Sequence, residues 1–159
     1  MVLRSIYRHC DNVMERIINI DGTGRCFKAS GATPRVYRGV CGRDLMVDLS
    51  IIEKHAAVVE AERQAAEAEN REPEKIEFTT EILTIYEDLA YTMLKQGNQT
   101  LPEGDARKIM PFPDTPDEWL DGLEILDIYD ILPQIIRLWS ESERATVSSK
   151  KNRAGAAGH

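Results

Sequence analysis

The 159-residue sequence has few of the residues that build disulfide frameworks and metal centres. Its cysteines are odd in number and widely spaced, which favours free thiols in a reducing compartment: Cys10, Cys26 and Cys41. Its histidines have neither the i, i+4 spacing nor the CxxC partner that a zinc site needs: His9, His55 and His159. We therefore expect no bound metal and no other cofactor.

The short motifs of several enzyme classes are also missing. Gly22-Thr23-Gly24 is only a two-glycine turn, since neither GxGxxG nor GxxxxGK occurs, and there is no GxSxG nucleophile motif. Four carboxylates recur every three residues: Asp121, Glu124, Asp127 and Asp130. Paired carboxylates can perform acid–base catalysis, but this spacing is more typical of the solvated face of a helix. The sequence therefore predicts a protein that is not an enzyme.

No apolar run reaches the roughly 18 residues that span a bilayer, so we expect no membrane partner and a cytosolic protein. The net charge of −7 also disfavours nucleic acid, whose binding depends on cationic contacts to phosphate. Residues 1–43 carry eight basic and three acidic side chains, a net of +5, which leaves −12 for the rest. This split allows a head-to-tail homo-oligomer, or simply two solvated surfaces.

The first part of the chain predicts a β-hairpin over residues 17–29. Asp21-Gly22 is a strong turn signal between two short apolar segments, because both central residues accept positive φ. Residues 1–13 show no clear period and are predicted to be a leader or flexible N-terminus, with the folded unit starting at Met14.

Helical patterns fill most of the remainder and predict a small helical bundle in one domain over residues 14–139. Thr33-Pro34 and Thr115-Pro116 each place a capping residue before a first-turn proline. The part of the second helix from Glu60 to Asn70 has no large apolar side chain and is predicted to project or fray. The predicted helices are 34–41, 44–70, 79–96, 116–132 and 133–140.

The segment from Trp119 to Trp139 is apolar around most of its circumference, unlike an ordinary surface helix. It either lies in the middle of a core or offers part of its surface to a partner. Pro133 predicts a kink or break after Leu132, because proline removes a helical hydrogen bond and clashes with the preceding turn. Residues 140–159 are polar and predict a flexible, disordered C-terminal tail.

Taken together, an ordered set of motifs over about residues 14–151 resembles the tail assembly chaperones of long-tailed (siphovirus-type) phages and prophages, mainly of Gram-positive hosts. The first motifs are Ala32-Thr33-Pro34-Arg35-Val36-Tyr37-Arg38 and Gly42-Arg43-Asp44-Leu45. Those that follow are residues 89–96, 115–121 and 128–133, the last continuing through Leu138-Trp139. Residues 1–13 and the loop from Gly97 to Asp114 fit the family less well, since the loop is longer than expected.

The resemblance implies a protein of the host bacterial cytoplasm that is absent from the finished particle. Such a chaperone binds the tape measure protein, a long, mainly helical and aggregation-prone chain, keeps it soluble and helps recruit subunits of the major tail tube protein. It also implies a longer form of the chain, made by ribosomal frameshifting near the end of the gene. Lys150-Lys151 marks where an A-rich slippery site would fall; codons that do not slip there would exclude it.

A chaperone for apolar helices needs an apolar groove with aromatic anchors on a charged scaffold. The sequence predicts Tyr129, Ile135, Leu138 and Trp139 as partner-binding residues, because they lie near the predicted break or between it and the tail. The alternative is that all four belong to the core.

Two other functions stay open at this point. One is a structural head–tail connector or neck component, which would be found in purified particles. The other is an acidic regulator that imitates the phosphate charge of DNA. The second needs ordered rows of carboxylates, whereas the glutamates of residues 60–81 are predicted to lie on an arm and a linker.

Overall fold

The computed structural model describes residues 14–20 and 22–156, with side chains described up to residue 142. It confirms the predicted mainly α fold with an N-terminal β-hairpin. The predicted leader, residues 1–13, lies outside the described residues. In chain order the elements are β1 (Met14–Ile20), β2 (Thr23–Ala29), α1 (Thr33–Cys41), α2 (Leu45–Ala68), α3 (Thr80–Thr100), α4 (Pro116–Asp121) and α5 (Ile125–Ala156).

The hairpin forms where the turn signal predicts it, although β1 begins three residues earlier than expected. The strands pair antiparallel with Ile20 opposite Thr23, and Gly22 has the positive φ of 75° that the turn requires. Ile18 and Ile20 of β1 face the core, together with Phe27 of β2. One face of the hairpin is therefore covered by helices, which is what makes a two-stranded sheet stable.

Helix α3 is the centre of the fold, since it packs against β2, α1, α2, α4 and α5. The predicted helix end at Gly97 is wrong, because α3 continues to Thr100. Gly97 instead lies against the backbone of β2, where a Cβ atom would be 2.0 Å from the carbonyl oxygen of Cys26. The glycine thus permits close helix–strand packing rather than ending the helix.

Local capping chemistry sets most helix starts. Asp44, Thr79 and Thr115 each accept a hydrogen bond from a backbone N–H in the first turn of the helix that follows. At α1 the predicted cap is wrong, because the cap residue is Ala32 and no side chain caps the helix. The buried hydroxyl of Thr33 instead donates to Gln96 Oε1 at 2.7 Å and so ties α1 to α3.

The glutamate-rich end of α2 is helical through Ala68, and most of its side chains are exposed, although Ala66 is fully buried. Fraying of this end stays a prediction, because a helical backbone alone does not test it. Arg71 of the following linker forms ion pairs with Glu62 and Glu69, and the backbone N–H of Glu74 donates to Glu62 at 3.1 Å. The linker therefore folds back along the end of α2.

Of the two effects predicted for Pro133, the helix break is wrong, because the chain breaks between Asp121 and Ile125 and Pro133 lies inside α5. A kink at Leu132-Pro133 stays a prediction. Asp127 Oδ2 accepts from the backbone N–H of Glu124 at 3.3 Å and so supplies a local start for α5. Pro133 is on the exposed face of the helix, where water can satisfy the carbonyl of Tyr129 that the missing proline N–H leaves unpaired.

Helical backbone continues beyond the predicted end at Ser140 as far as Ala156. The flexibility of residues 140–159 stays a prediction, because a helical backbone and a mobile segment are separate properties. Within residues 14–20 and 22–156, no helix is both long enough and apolar enough to cross a membrane.

Candidate functional site

The junction between α4 and α5 is held against α3 by aromatic side chains. Tyr91 of α3 packs between Phe112 and Trp119, with ring centroids 5.5 Å and 6.3 Å away. Its hydroxyl donates to the carbonyl oxygen of Pro113 at 2.6 Å, and Trp119 is buried. These contacts hold α4, which leads into α5, against the core.

One face of α5 belongs to the hydrophobic core. Its buried side chains follow the helical spacing of three and four residues: Ile131, Leu132, Ile135 and Leu138. They pack among residues of α3 and the hairpin, against which α5 lies. Arg16 of β1 also donates to Glu141 and ties α5 to the hairpin. These contacts fix which face of α5 meets solvent.

The opposite face presents apolar side chains to solvent. Ile125 is 81% exposed, Leu126 74% and Tyr129 54%, and Pro133 is also exposed. We call these four residues the α5 stripe. Spacings of four residues connect Ile125, Tyr129 and Pro133, so they lie along one side of the helix over about 12 Å. Full burial of one such side chain stabilises a folded protein or a complex by about 1.5–3 kcal/mol. This fold does not bury these side chains, so it does not gain that stabilisation.

A shallow pocket of mixed lining adjoins the beginning of this stripe. Its volume is about 200 Å³, and its lining combines the charged residues Arg25 and Glu118 with apolar ones that include Ile20, Ile109, Trp119 and Leu123. Leu123 precedes Ile125 by two residues, so their Cα atoms are within about 7.6 Å of each other. The pocket and the stripe thus bring apolar surface together at the α4–α5 junction.

The surroundings of the α5 stripe are acidic. Residues 109–136 contain no lysine or arginine, but they contain seven carboxylates: Asp114, Asp117, Glu118, Asp121, Glu124, Asp127 and Asp130. Asp121, Glu124 and Asp130 are exposed, and none of them joins an ion pair within the described residues. Asp130 follows Leu126 by four residues and therefore borders the stripe.

The four residues predicted to bind a partner divide between surface and core. Tyr129 belongs to the α5 stripe, whereas Trp139 is half-buried and packs against the core. Ile135 and Leu138 are corrected to core positions, because both are fully buried and cannot contact a partner without opening the fold. The sequence-based prediction omitted Ile125 and Leu126. It placed the partner-binding residues near and beyond a helix break at Pro133, which the structure does not contain. Helical spacing counted back from Tyr129 would have found both.

A second exposed apolar surface lies on α2. Met46 and Val47 are each 60% exposed, and Val58 is exposed about three turns further along the helix. Charges of both signs accompany this surface, for example Glu53 and Lys54. It resembles the α5 stripe in exposure but lacks its uniform charge, so it provides matched control positions.

A largely buried charge cluster joins α1, α2 and α3. Arg43 donates to Asp48 Oδ2 at 2.9 Å and to Asp88 Oδ2 at 2.6 Å. The hydroxyl of Tyr37 donates to Asp48 Oδ2 at 2.6 Å and accepts from Arg43 at 3.0 Å. The Arg43 guanidinium also lies over the Tyr37 ring, 5.7 Å from its centroid. Tyr37 and Arg43 belong to two of the motifs on which the resemblance depends, and the cluster holds three helices together.

In this cluster, burial and ion pairing shift the pKa values of the charged side chains in opposite directions. Burial raises the pKa of Asp88, and the neighbouring Arg43 offsets only part of that shift. Burial lowers the pKa of Arg43, but hydrogen bonds to Asp88 and Asp48 outweigh it and the net shift is upward. Burial together with the hydrogen bond to Asp48 raises the pKa of Tyr37, so the phenol keeps its proton. The cluster is therefore an arginine between two carboxylates, with a neutral tyrosine.

Among the described residues, no group of three or more His, Cys, Asp or Glu side chains is arranged to hold a metal ion. The chain matches no protein-family model, and no curated protein or solved structure is significantly similar to it. The candidate site is therefore defined by its geometry alone: a helix with one face buried in the core and, on the other, an exposed apolar stripe in acidic surroundings.

Proposed function

We propose that this protein is a phage tail assembly chaperone, which binds the tape measure protein through the α5 stripe and keeps it soluble during tail morphogenesis. The observation that carries the proposal is the exposure of Ile125, Leu126 and Tyr129 on a helix whose other face is locked into the core. A surface of this kind can bind apolar helical segments without losing its own fold. The motif resemblance supplies the identity of the client.

The charge distribution also supports this function. A holding chaperone must stay soluble while it presents apolar surface, and a net charge of −7 favours solubility. Recruitment of tail tube subunits, a frameshifted longer form and a location in the host cytoplasm belong to the same proposal.

The test is co-expression of the tagged chain with the tape measure protein of the same phage or prophage, followed by pull-down and size exclusion. We expect the tape measure protein to become soluble and to co-elute with the chain. We expect the double variant Leu126→Ser, Tyr129→Ser to lose this activity while remaining folded. The double variant Met46→Ser, Val47→Ser changes exposed apolar residues on α2 and is the matched control, expected to keep it.

Two results would contradict the proposal. If the tape measure protein stays insoluble when it is co-expressed with the wild-type chain, it is not the client of this protein. Recovery of this chain from purified particles would favour the structural connector or neck component instead.

A further inference from the structure

We infer that the α5 stripe selects a basic partner: an amphipathic helix whose apolar face is bordered by lysine or arginine side chains. This inference rests on the proposed function in taking the stripe as the client-binding surface, and it adds the chemistry of the segment that binds there. It is carried by the juxtaposition of exposed apolar residues with carboxylates that form no ion pair among the described residues.

The shape of the surface favours a helix as the occupant. The stripe follows one helix for about two turns, roughly 12 Å, and presents side chains at positions i, i+1, i+4 and i+8. A second helix can pack along such a ridge with its own apolar residues at spacings of three and four. Tyr129, at the middle of the stripe, is the aromatic anchor for that contact.

The charges around the stripe favour basic residues at the border of that helix. Asp121, Glu124 and Asp130 are exposed and have no cationic partner within the described part of the chain. Some exposed acids elsewhere in the fold, such as Glu60 and Glu69, are paired with arginines. Others, such as Glu72 and Glu77, also form no ion pair among the described residues, so the acids near the stripe are distinguished by the exposed apolar side chains beside them. A basic partner would therefore gain attraction at the stripe, whereas an acidic partner would meet only repulsion.

The probes are two synthetic helical peptides of about 18 residues, or five turns. Both carry the same apolar face, and they differ only in lysine or glutamate at the bordering positions. Binding to the full chain is measured by fluorescence anisotropy at salt concentrations from about 0.05 M to about 0.5 M, over which screening of exposed charges increases strongly. We expect the lysine peptide to bind at least about tenfold more tightly than the glutamate peptide at low salt.

Two triple variants distinguish the effect of the charges near the stripe from the effect of the protein's net charge. Asp121→Asn, Glu124→Gln, Asp130→Asn neutralises the border of the stripe, while Glu72→Gln, Glu74→Gln, Glu77→Gln neutralises three exposed glutamates of the linker. Each removes three negative charges from the net −7. We expect the first to weaken binding of the lysine peptide about tenfold, about twofold for each exposed ion pair lost. The second should leave the affinity within about twofold.

Equal affinity for the two peptides, an unchanged affinity in the first triple variant, or no binding of either peptide would overturn the inference. So would a chain that self-associates through the stripe, seen as an oligomer that Leu126→Ser, Tyr129→Ser converts to monomer and that the lysine peptide does not displace. The proposed function fails separately. If the first triple variant solubilises the tape measure protein as well as the wild type does, only the charge inference falls. If the peptide pattern holds but no tape measure protein is captured, only the chaperone proposal falls.

Discussion

Tyr129 and Ile135 are six residues apart on α5 and face opposite environments: Tyr129 is 54% exposed, while Ile135 is fully buried against the core. Six residues turn a helix by about 600°, which leaves the two side chains about 120° apart around the helix axis. One helix therefore serves both as part of the core and as a surface available to a partner. A short apolar segment can perform both tasks because its two faces are different.

This division predicts different costs of truncation. We expect Ile135→Ala to lower the free energy of unfolding by about 2–5 kcal/mol, since it leaves a cavity in the core. Tyr129→Ala should change it by about 0.5 kcal/mol or less, because the side chain is largely solvated. Urea unfolding followed by circular dichroism measures both. A loss of several kcal/mol in Tyr129→Ala would place the tyrosine in the core.

At Gly97, α3 packs so closely against β2 that we expect no larger residue to fit there. An alanine there would place its Cβ 2.0 Å from the carbonyl oxygen of Cys26, which the backbone cannot accommodate without shifting. We expect Gly97→Ala to destabilise the protein by about 2–4 kcal/mol, in the range of overpacked sites. Gly39, inside α1, is the control, since a Cβ there meets nothing within 4 Å. Gly39→Ala should stabilise by about 0.5–1 kcal/mol, as expected inside a helix. Similar effects of the two substitutions in urea unfolding would contradict the close approach.

Arg43 predicts a cost for leaving buried carboxylates without a partner. Arg43→Ala removes the hydrogen bonds to Asp48 and Asp88 and leaves two buried acids side by side. We expect a loss of about 2–3 kcal/mol, below the value for fully buried pairs because part of the arginine side chain is exposed. Arg63→Ala, whose partners Glu60 and Glu67 are exposed, should cost less than about 1 kcal/mol. Thermal unfolding measures the loss of stability in both variants. Equal losses would show that the charge cluster does not stabilise the packing of the three helices.

Glu87 predicts a pH dependence of stability. Burial, with the negative charges of Asp88 and Asp117, raises the pKa of the Glu87 carboxyl above its ordinary value. The folded state therefore holds this proton more tightly than the unfolded chain does, and the stability gained is lost as the pH rises from about 4 through the folded pKa. We expect Glu87→Gln to be more stable than the wild type at neutral pH, by about 0.5 kcal/mol or less because the side chain is partly solvated. Below about pH 4 the two proteins should have the same stability.

Urea unfolding at neutral and acid pH measures this difference. The variant Glu72→Gln, at an exposed site, controls for the loss of one negative charge from the net −7. A gain in Glu87→Gln that is the same at both pH values would contradict the assignment.

The local features of this fold could be read from the sequence because their causes lie within a few residues. Asp21-Gly22 predicts the turn between β1 and β2, and Thr79 and Thr115 supply the caps that begin α3 and α4. The apolar segment from Trp119 to Trp139 likewise indicates where the candidate site lies. Each signal depends on backbone sterics or on hydrogen bonds that neighbouring residues can form by themselves.

Tertiary structure decided the rest, because it depends on which surfaces meet. A glycine near a predicted helix end can stop the helix or admit a strand, and only the approach of β2 assigns Gly97 to the second role. A helical proline can break a helix or lie on its solvated side, and only the packing of α5 assigns Pro133 to the latter. Which apolar residues of α5 face solvent follows from its contacts with α3 and the hairpin. The sequence therefore predicts the hairpin, most helix starts and the apolar segment, while long-range packing places Ile135 in the core and Tyr129 at the surface.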